Sequence, residues 1–211
     1  MVYIPAQKVN FGLTESQAKK LANEYDVHND YFMIETPPGK AQLKSFYIDK
    51  YPVTCQQYWV YIQQTNAPRP AALKDGIEPG WENVPVTDIT WGQAADYAKW
   101  AGKSLCTEDQ WQLAASGPDG YEYPWGNNFE QGDIKLCINP SAMVWRPVPV
   151  GSNPESISPF GVEDMSGLIM QWTTTIIPDV NPTSARNNQP IGQSSRLKVW
   201  MVNLLLPAPK A

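Results

Sequence analysis

Few side chains in this 211-residue sequence could do redox, nucleophilic or metal chemistry. The sequence contains three cysteines, Cys55, Cys106 and Cys137, and a single histidine, His28. Thiolates and imidazoles bind transition metals and act as nucleophiles or bases. The cysteines form no C-x-x-C pair, so neither a zinc site nor a disulfide framework is indicated. We therefore predict that they are buried thiols that pack as small apolar side chains.

The single histidine limits the remaining catalytic arrangements. An iron site of two histidines and one carboxylate cannot be built within one chain. A Ser–His–Asp triad would have to use His28, which we place on the surface near the end of the first predicted helix. Carboxylates at Asp88, Glu163 and Asp164 could form an acid–base pair, but nothing in the sequence sets their spacing. We predict that they serve in turns or salt bridges.

The composition limits the number of domains and the kinds of partner that the chain could bind. Charged residues make up 18% of the chain, aromatic residues 11%, and 20 residues are proline, which suits one loop-rich domain over residues 1–211. The net charge of -5 and the lack of a Lys/Arg stripe argue against a nucleic-acid partner. No apolar run of ~20 residues predicts a membrane span. The first residues lack the basic and apolar segments of a signal peptide, and the sequence does not indicate a cellular compartment.

A repeated local pattern predicts the helices that would position these residues. The sequence T-x-x-Q occurs with its threonine at Thr14, Thr54, Thr90 and Thr107. In this capping box the hydroxyl and the glutamine side chain satisfy two backbone N–H groups at a helix start. The pattern predicts helices over 15–25, 55–65, 91–101 and 108–116. Strands are predicted over 2–4, 44–48, 147–150 and 196–206.

A longer series of motifs runs through the chain in a fixed order. The motifs are F-x-I-D-x-Y-P-V-T at 46–54, P-V to W at 85–100, G-K-x-L-x-T-E-x-x-W-x-x-A-A at 102–115, Y-P-W-G at 123–126 and D-M-x-G to W-T at 164–173. Together they resemble the formylglycine-generating enzyme family, the sulfatase-modifying-factor branch of the C-type-lectin fold. The resemblance implies an α+β, C-type-lectin-like fold of the formylglycine-generating-enzyme type, loop-rich, with short strands and several short helices. We predict that four motif tryptophans are mostly buried and within reach of one another: Trp91, Trp100, Trp111 and Trp125.

The resemblance also implies calcium sites, from which the sequence departs. The family has a calcium loop at the segment that matches 164–173, where this chain has Leu168 in place of Asn and Gln171 in place of Glu. Calcium takes 6–8 oxygen ligands, usually with carboxylates, so we expect this site to be lost. A second family site uses an Asn after Y-P-W-G, and Asn139 is the candidate calcium ligand. An Asn that starts a turn before Pro140 is the alternative.

The resemblance places the reactive centre of active members at two late cysteines that bind copper and activate oxygen. This sequence has no cysteine after Cys137, and thiolates are the ligands that select Cu(I). We expect the reactive centre to be absent and the C-terminal part to be atypical or truncated. An early end would leave an open sheet edge, through which the chain could associate with another copy.

Three functional hypotheses follow. The first is a non-catalytic ligand-binding module, similar to the variable ligand-binding proteins of diversity-generating retroelements, whose ligand is an unknown protein or small molecule. Its surface would combine adaptable polar residues with an aromatic anchor: Arg186, Asn187, Asn188, Gln189, Trp200 and Asn203. For residues 187–189 a solvated loop is the alternative. The second hypothesis is a sulfatase-modifying-type oxidase whose catalytic segment is missing or supplied by another chain, and the third is a degenerate member with a structural role.

Overall fold

Short helices and short strands alternate with long loops in this chain. The structure, a computed structural model, describes residues 1–24, 28, 30–33, 35–128, 138–139, 144–145, 148–166, 168–175 and 204–207. The α-helices are α1 (Glu15–Glu24), α2 (Asp30–Met33), α3 (Cys55–Thr65), α4 (Trp91–Trp100) and α5 (Glu108–Ser116). The strands are β1 (Val2–Ile4), β2 (Gln7–Phe11), β3 (Gly39–Leu43), β4 (Phe46–Ile48), β5 (Ser104–Leu105), β6 (Ile138–Asn139), β7 (Val144–Trp145) and β8 (Leu204–Pro207). Within the described residues, no helix is long and apolar enough to cross a membrane.

The four predicted capping boxes are confirmed. At Thr54, Thr90 and Thr107 the threonine hydroxyl accepts from the backbone N–H three residues on, and the glutamine side chain accepts from the threonine N–H. Thr14 makes the same two hydrogen bonds, at 3.3 and 2.9 Å. Each box starts its helix at the next residue, because it satisfies two N–H groups that a helix start leaves without partners. The four predicted helices are therefore found, with ends that differ by at most one residue.

The main sheet has the order β1-β4-β8-β5, with all neighbours antiparallel. β1 forms as predicted, and the strand predicted over 44–48 begins at Phe46. Residues 148–150 form a loop, so the strand predicted there is wrong in its described part. Of the strand predicted over 196–206, only the end is described, and β8 lies between β4 and β5. Pairing of another chain with an outer strand of this sheet stays a prediction.

Two strands that the sequence did not predict form a separate ribbon. β2 pairs with β3 in antiparallel register, from Gln7 opposite Leu43 to Phe11 opposite Gly39. Their polar residues hide the period-two pattern by which strands are recognised. The ribbon packs onto the rest of the protein through Val9, which is 4% exposed.

Two hydrophobic clusters make up the described core. The first lies between α3 and α4 and contains Tyr58, Tyr61, Ala94 and Tyr97. The second lies between the main sheet and α5: Ile4, Val9, Phe46, Ile48, Cys106, Leu113, Ala114, Ala115, Val162 and Met165. Cys55 belongs to the first cluster and is 2% exposed, whereas Cys106 belongs to the second and is fully buried. The prediction of buried thiols is confirmed for these two, and Cys137 lies outside the described residues.

The four motif tryptophans pack in different places, so the prediction that they form one buried group holds only in part. Trp100 is 37% exposed, and the other three are half-buried. Trp91 packs against the first cluster and Trp111 against the second, while Trp125 stacks on Tyr123 with ring centroids 5.1 Å apart. For Trp91, Trp111 and Trp125 the physical reason is the indole N–H, which needs a hydrogen-bond acceptor and finds one outside the apolar clusters.

Candidate functional site

The residues predicted to contact a ligand lie outside the described part of the chain. These are Arg186, Asn187, Asn188, Gln189, Trp200 and Asn203, all within residues 176–203. Asn139 lies in β6, whose backbone pairs with β7, and its side chain is not among those described. Its assignment as a calcium ligand stays a prediction. The described residues do show how the chain is fixed on both sides of residues 176–203.

Both flanks of this segment are fixed to the same corner of the scaffold, formed by β5 and the start of α5. On the first flank, the backbone N–H of Thr174 donates to the carbonyl of Cys106 at 2.8 Å. The backbone N–H of Glu108 donates to Oγ1 of Thr175 at 2.9 Å. On the second flank, Leu204 pairs with Leu105 in the main sheet. The residues immediately before and after 176–203 are therefore both hydrogen-bonded to the corner at residues 104–108.

Three indole N–H groups fix residues 171–173, which lead to this corner. Nε1 of Trp111 donates to Oε1 of Gln171 at 2.7 Å. Nε1 of Trp172 donates to the carbonyl of Ile89 at 3.0 Å, and Nε1 of Trp91 donates to the carbonyl of Thr173 at 2.9 Å. These bonds tie each of three consecutive residues, 171–173, to α5, to α4 or to the loop before α4.

Trp91 and Trp111 were predicted to be buried, but the hydrogen bonds of these three indole N–H groups were not predicted. Gln171 and Thr173 are 6% and 5% exposed, so their polar atoms need partners inside the protein. The sequence could indicate these hydrogen bonds only in general terms, because a tryptophan near a polar loop has an indole N–H that needs a hydrogen-bond acceptor. The partner of that N–H could not be read from spacing, because Trp111 and Gln171 are 60 residues apart.

A charged cluster lies beneath the loop at residues 148–153. Nζ of Lys50 contacts Oε1 of Glu163 at 2.7 Å, and this hydrogen bond raises the pKa of Lys50. The hydroxyl of Tyr51 donates to the same oxygen at 3.3 Å. Asp164, at φ 59, accepts the backbone N–H of Gly151 on Oδ2 at 2.7 Å. Glu163 and Asp164 thus serve in a salt bridge and a turn, in line with their predicted roles.

A half-buried ion pair links two of the motifs. Nζ of Lys103 lies 2.8 Å from both carboxylate oxygens of Asp49. The two side chains are 21% and 19% exposed. The pair joins the end of β4 to the turn between α4 and β5, which is the turn that leads into the corner at 104–108. These motif residues therefore hold the scaffold in place.

The two described cysteines do not fit the soft-metal chemistry of a copper site. Burial raises the pKa of Cys55 to about 11 and that of Cys106 to about 12. Burial thus disfavours the thiolate form that binds copper, and the two thiols lie in separate core clusters. Sγ of Cys55 donates to the carbonyl of Pro85 at 3.7 Å. Among the residues that the structure describes, no three His, Cys, Asp or Glu side chains are grouped so as to hold a metal ion.

Comparison with protein families gives one match, which covers residues 1–196: the Sulfatase-modifying factor enzyme 1-like domain. Among curated proteins, the serine/threonine-protein kinase pkn1 of Chlamydia pneumoniae is 31% identical over 155 residues, which are 65% of this chain and 24% of the kinase. The inactive C-alpha-formylglycine-generating enzyme 2 of Bos taurus is 30% identical over 133 residues, 56% of this chain and 41% of that protein. The formylglycine-generating enzyme of Mycobacterium tuberculosis is 34% identical over 103 residues, 43% of this chain and 33% of the enzyme. The chain thus spans less than half the length of each of these relatives.

Solved structures confirm the predicted fold. The structure of PvdO from Pseudomonas aeruginosa matches 94% of this chain and 76% of its own, with a TM-score of 0.62 and 22% identity. The crystal structure of CarF matches 99% of this chain and 98% of its own, with a TM-score of 0.60 and 15% identity. At these identities the similarity establishes the α+β fold alone.

Proposed function

This chain belongs to the Sulfatase-modifying factor enzyme 1-like domain family, and we propose that it is a non-catalytic ligand-binding module of that family. The observation that carries the proposal is the common corner at residues 104–108, to which both flanks of residues 176–203 are fixed. A segment fixed at both ends to a rigid scaffold can present contact residues without carrying the fold. Binding residues commonly occupy such loops on rigid scaffolds.

The chemistry of the cysteines supports the non-catalytic assignment. Cys55 and Cys106 are buried in separate core clusters, and burial raises the pKa of both thiols. Residues 138–211 contain no cysteine. One relative is named an inactive enzyme, so the family's scaffold is also found in a protein described as inactive.

The contact residues in this proposal are those predicted from the late segment: Arg186, Asn187, Asn188, Gln189, Trp200 and Asn203. An indole and a guanidinium are the usual anchors of a recognition surface, and Asn and Gln supply adaptable hydrogen bonds. The ligand is a protein or a small molecule. The finer proposal is a variable protein of a diversity-generating retroelement, in which these codons would be rewritten while the scaffold stays constant.

A display experiment tests the binding proposal. The chain is displayed on yeast with the six contact positions diversified, and the library is selected against a probe protein, hen egg-white lysozyme. A matched control library diversifies six exposed scaffold positions: Gln56, Gln63, Gln64, Lys74, Asp75 and Glu78. The proposal expects lysozyme binders from the first library that remain resistant to protease and outnumber those from the control. Binders that appear equally in both libraries, or that are protease-sensitive, would refute it.

The alternative is a sulfatase-modifying-type oxidase with its catalytic segment supplied by another chain, which the family description itself favours. Purified protein, alone and with an added peptide that carries the two late cysteines of active family members, is incubated with a sulfatase-type cysteine peptide, copper, a thiol reductant and oxygen, and the substrate peptide is examined by mass spectrometry. The binding proposal expects no aldehyde product. Aldehyde that depends on this chain would establish the alternative instead.

A further inference from the structure

The segment 164–173 is where the family resemblance implies a calcium loop, so its donor atoms can be compared with what calcium requires. Calcium takes 6–8 oxygen ligands at 2.3–2.6 Å, with carboxylates among them. The side chains that this chain offers there include those of Asp164, Leu168 and Gln171. Leu168 is 2% exposed and packs in the first core cluster, so it supplies no ligand.

Gln171 has both ends of its amide engaged by the protein. Oε1 accepts the indole N–H of Trp111 at 2.7 Å, and Nε2 donates to the backbone carbonyl of Asp164 at 3.3 Å. The side chain is buried, with the residue 6% exposed. Two oxygens that a cation would need, Oε1 of Gln171 and the carbonyl of Asp164, are therefore already hydrogen-bonded to N–H donors.

Two carboxylate oxygens of this region are engaged in the same way. Oδ2 of Asp164 accepts the N–H of Gly151 at 2.7 Å, and Oε1 of Glu163 is paired with Lys50 at 2.7 Å. Oδ1 of Asp164 is buried without a hydrogen-bond partner. Among Asp164, Leu168 and Gln171, only Asp164 carries a charged side chain, so these side chains do not fit the carboxylate-rich set that calcium prefers.

The chemical difference between Glu and Gln explains how the segment can be stable without the ion. An ionised Glu at position 171 could only accept hydrogen bonds, and it would face the Asp164 carbonyl, which is also an acceptor. Two facing acceptors repel unless a cation lies between them. An amide carries an acceptor and two donors, so Gln171 bonds to Trp111 and to Asp164 at once.

We propose that Gln171 replaces the calcium ion as the structural cross-link between α5 and the Asp164 turn, which makes the segment 164–173 independent of calcium. The cross-link fixes the residues that lead to the corner at 104–108. The proposal concerns the scaffold and holds whether or not residues 176–203 bind a ligand.

Thermal melts in EGTA and in excess calcium test the proposal directly, and they use the variant Asn139→Ala so that the other candidate calcium ligand cannot contribute. At about 10 mM calcium, even a weak site with a Kd of about 1 mM would raise the melting temperature by about 3–6 °C. The proposal expects the two melts to agree within about 1 °C and calorimetric titration with CaCl₂ to show no saturable heat. A calcium-dependent rise of about 3 °C or more would overturn it.

Two variants separate the cross-link from a simple loss of packing. Gln171→Met keeps a similar shape but makes neither hydrogen bond, and it should lower the melting temperature equally in EGTA and in calcium. Gln171→Glu should lower it in EGTA, because the carboxylate faces the Asp164 carbonyl. Gln63→Glu, at an exposed position of α3, is the control and should leave the melt unchanged. If Gln171→Glu melts in EGTA like the wild type, the amide is not the cross-link. If both variants fail to fold, the comparison of melts in EGTA and in calcium still decides whether this segment needs calcium.

Discussion

Replacing Trp111 with phenylalanine tests the role of the indole N–H groups most simply. The substitution keeps an aromatic ring on α5 but removes the donor that lies 2.7 Å from Oε1 of Gln171. Gln171 is 6% exposed, so water cannot readily take the place of this donor. Leaving a buried acceptor without its partner costs about 1–3 kcal/mol. For a chain of this size, that loss lowers the melting temperature by about 2–12 °C.

The control is Trp125→Phe, which loses an indole N–H that donates to the carbonyl of Asn128 at 3.0 Å among exposed residues. Water can replace the lost donor there, so we expect a change within about 0.5 kcal/mol. Urea unfolding followed by circular dichroism gives the free energy of unfolding for both variants. Equal midpoints for Trp111→Phe and the wild type would show that the bond to Gln171 contributes nothing to the fold.

Three further predictions concern the cap of α5, one buried carboxyl and one glycine. Thr107→Ala removes the capping hydroxyl that accepts from Gln110 at 3.2 Å and should cost about 0.5–2 kcal/mol in a urea melt; an unchanged midpoint would contradict the capping role. Burial raises the pKa of Asp164 from 3.8 to about 6, so the folded protein binds the proton of this carboxyl more tightly than the unfolded chain does. Protonation of Asp164 therefore stabilises the fold below pH 4, and this stabilisation is lost as the pH rises through 6. Asp164→Asn cannot titrate, so its stability relative to the wild type should increase between pH 4 and 7; a difference that is constant with pH would refute this. Gly151 (φ 73) and Gly120 (φ 68) are both left-handed, but only a Cβ on Gly151 would meet Tyr51, at 3.1 Å, so Gly151→Ala should lower the melting temperature more than Gly120→Ala, and equal losses would argue against that contact.

Local chemistry explains which parts of this fold could be predicted. Each capping box needs only residues three apart, and the helices after Thr54, Thr90 and Thr107 begin where the pattern places them. The buried residues of α4 are Ala94, Tyr97 and Ala98, which are spaced three and four residues apart as one face of a helix requires. Non-local pairing could not be predicted: β2 and β3 are polar, and each is a strand because the other lies beside it.

The candidate site shows the same division. The sequence indicated that Leu168 and Gln171 depart from a calcium loop. It could not indicate that the N–H of Trp111 takes Oε1 of Gln171, since that contact depends on how α5 packs. The corner at 104–108 was missed for the same reason, because it forms only when residues 174–175 and β8 meet β5 and α5.

The central claim is that the late segment carries recognition while the scaffold carries stability. The melting temperature of the double variant Arg186→Ala/Trp200→Ala tests it most directly. Surface substitutions usually change stability by less than about 0.5 kcal/mol each, so the account predicts a melting temperature within about 4 °C of the wild type. If the double variant unfolds or loses cooperative melting, Trp200 or Arg186 belongs to the core, and the assignment of this segment to ligand recognition is contradicted.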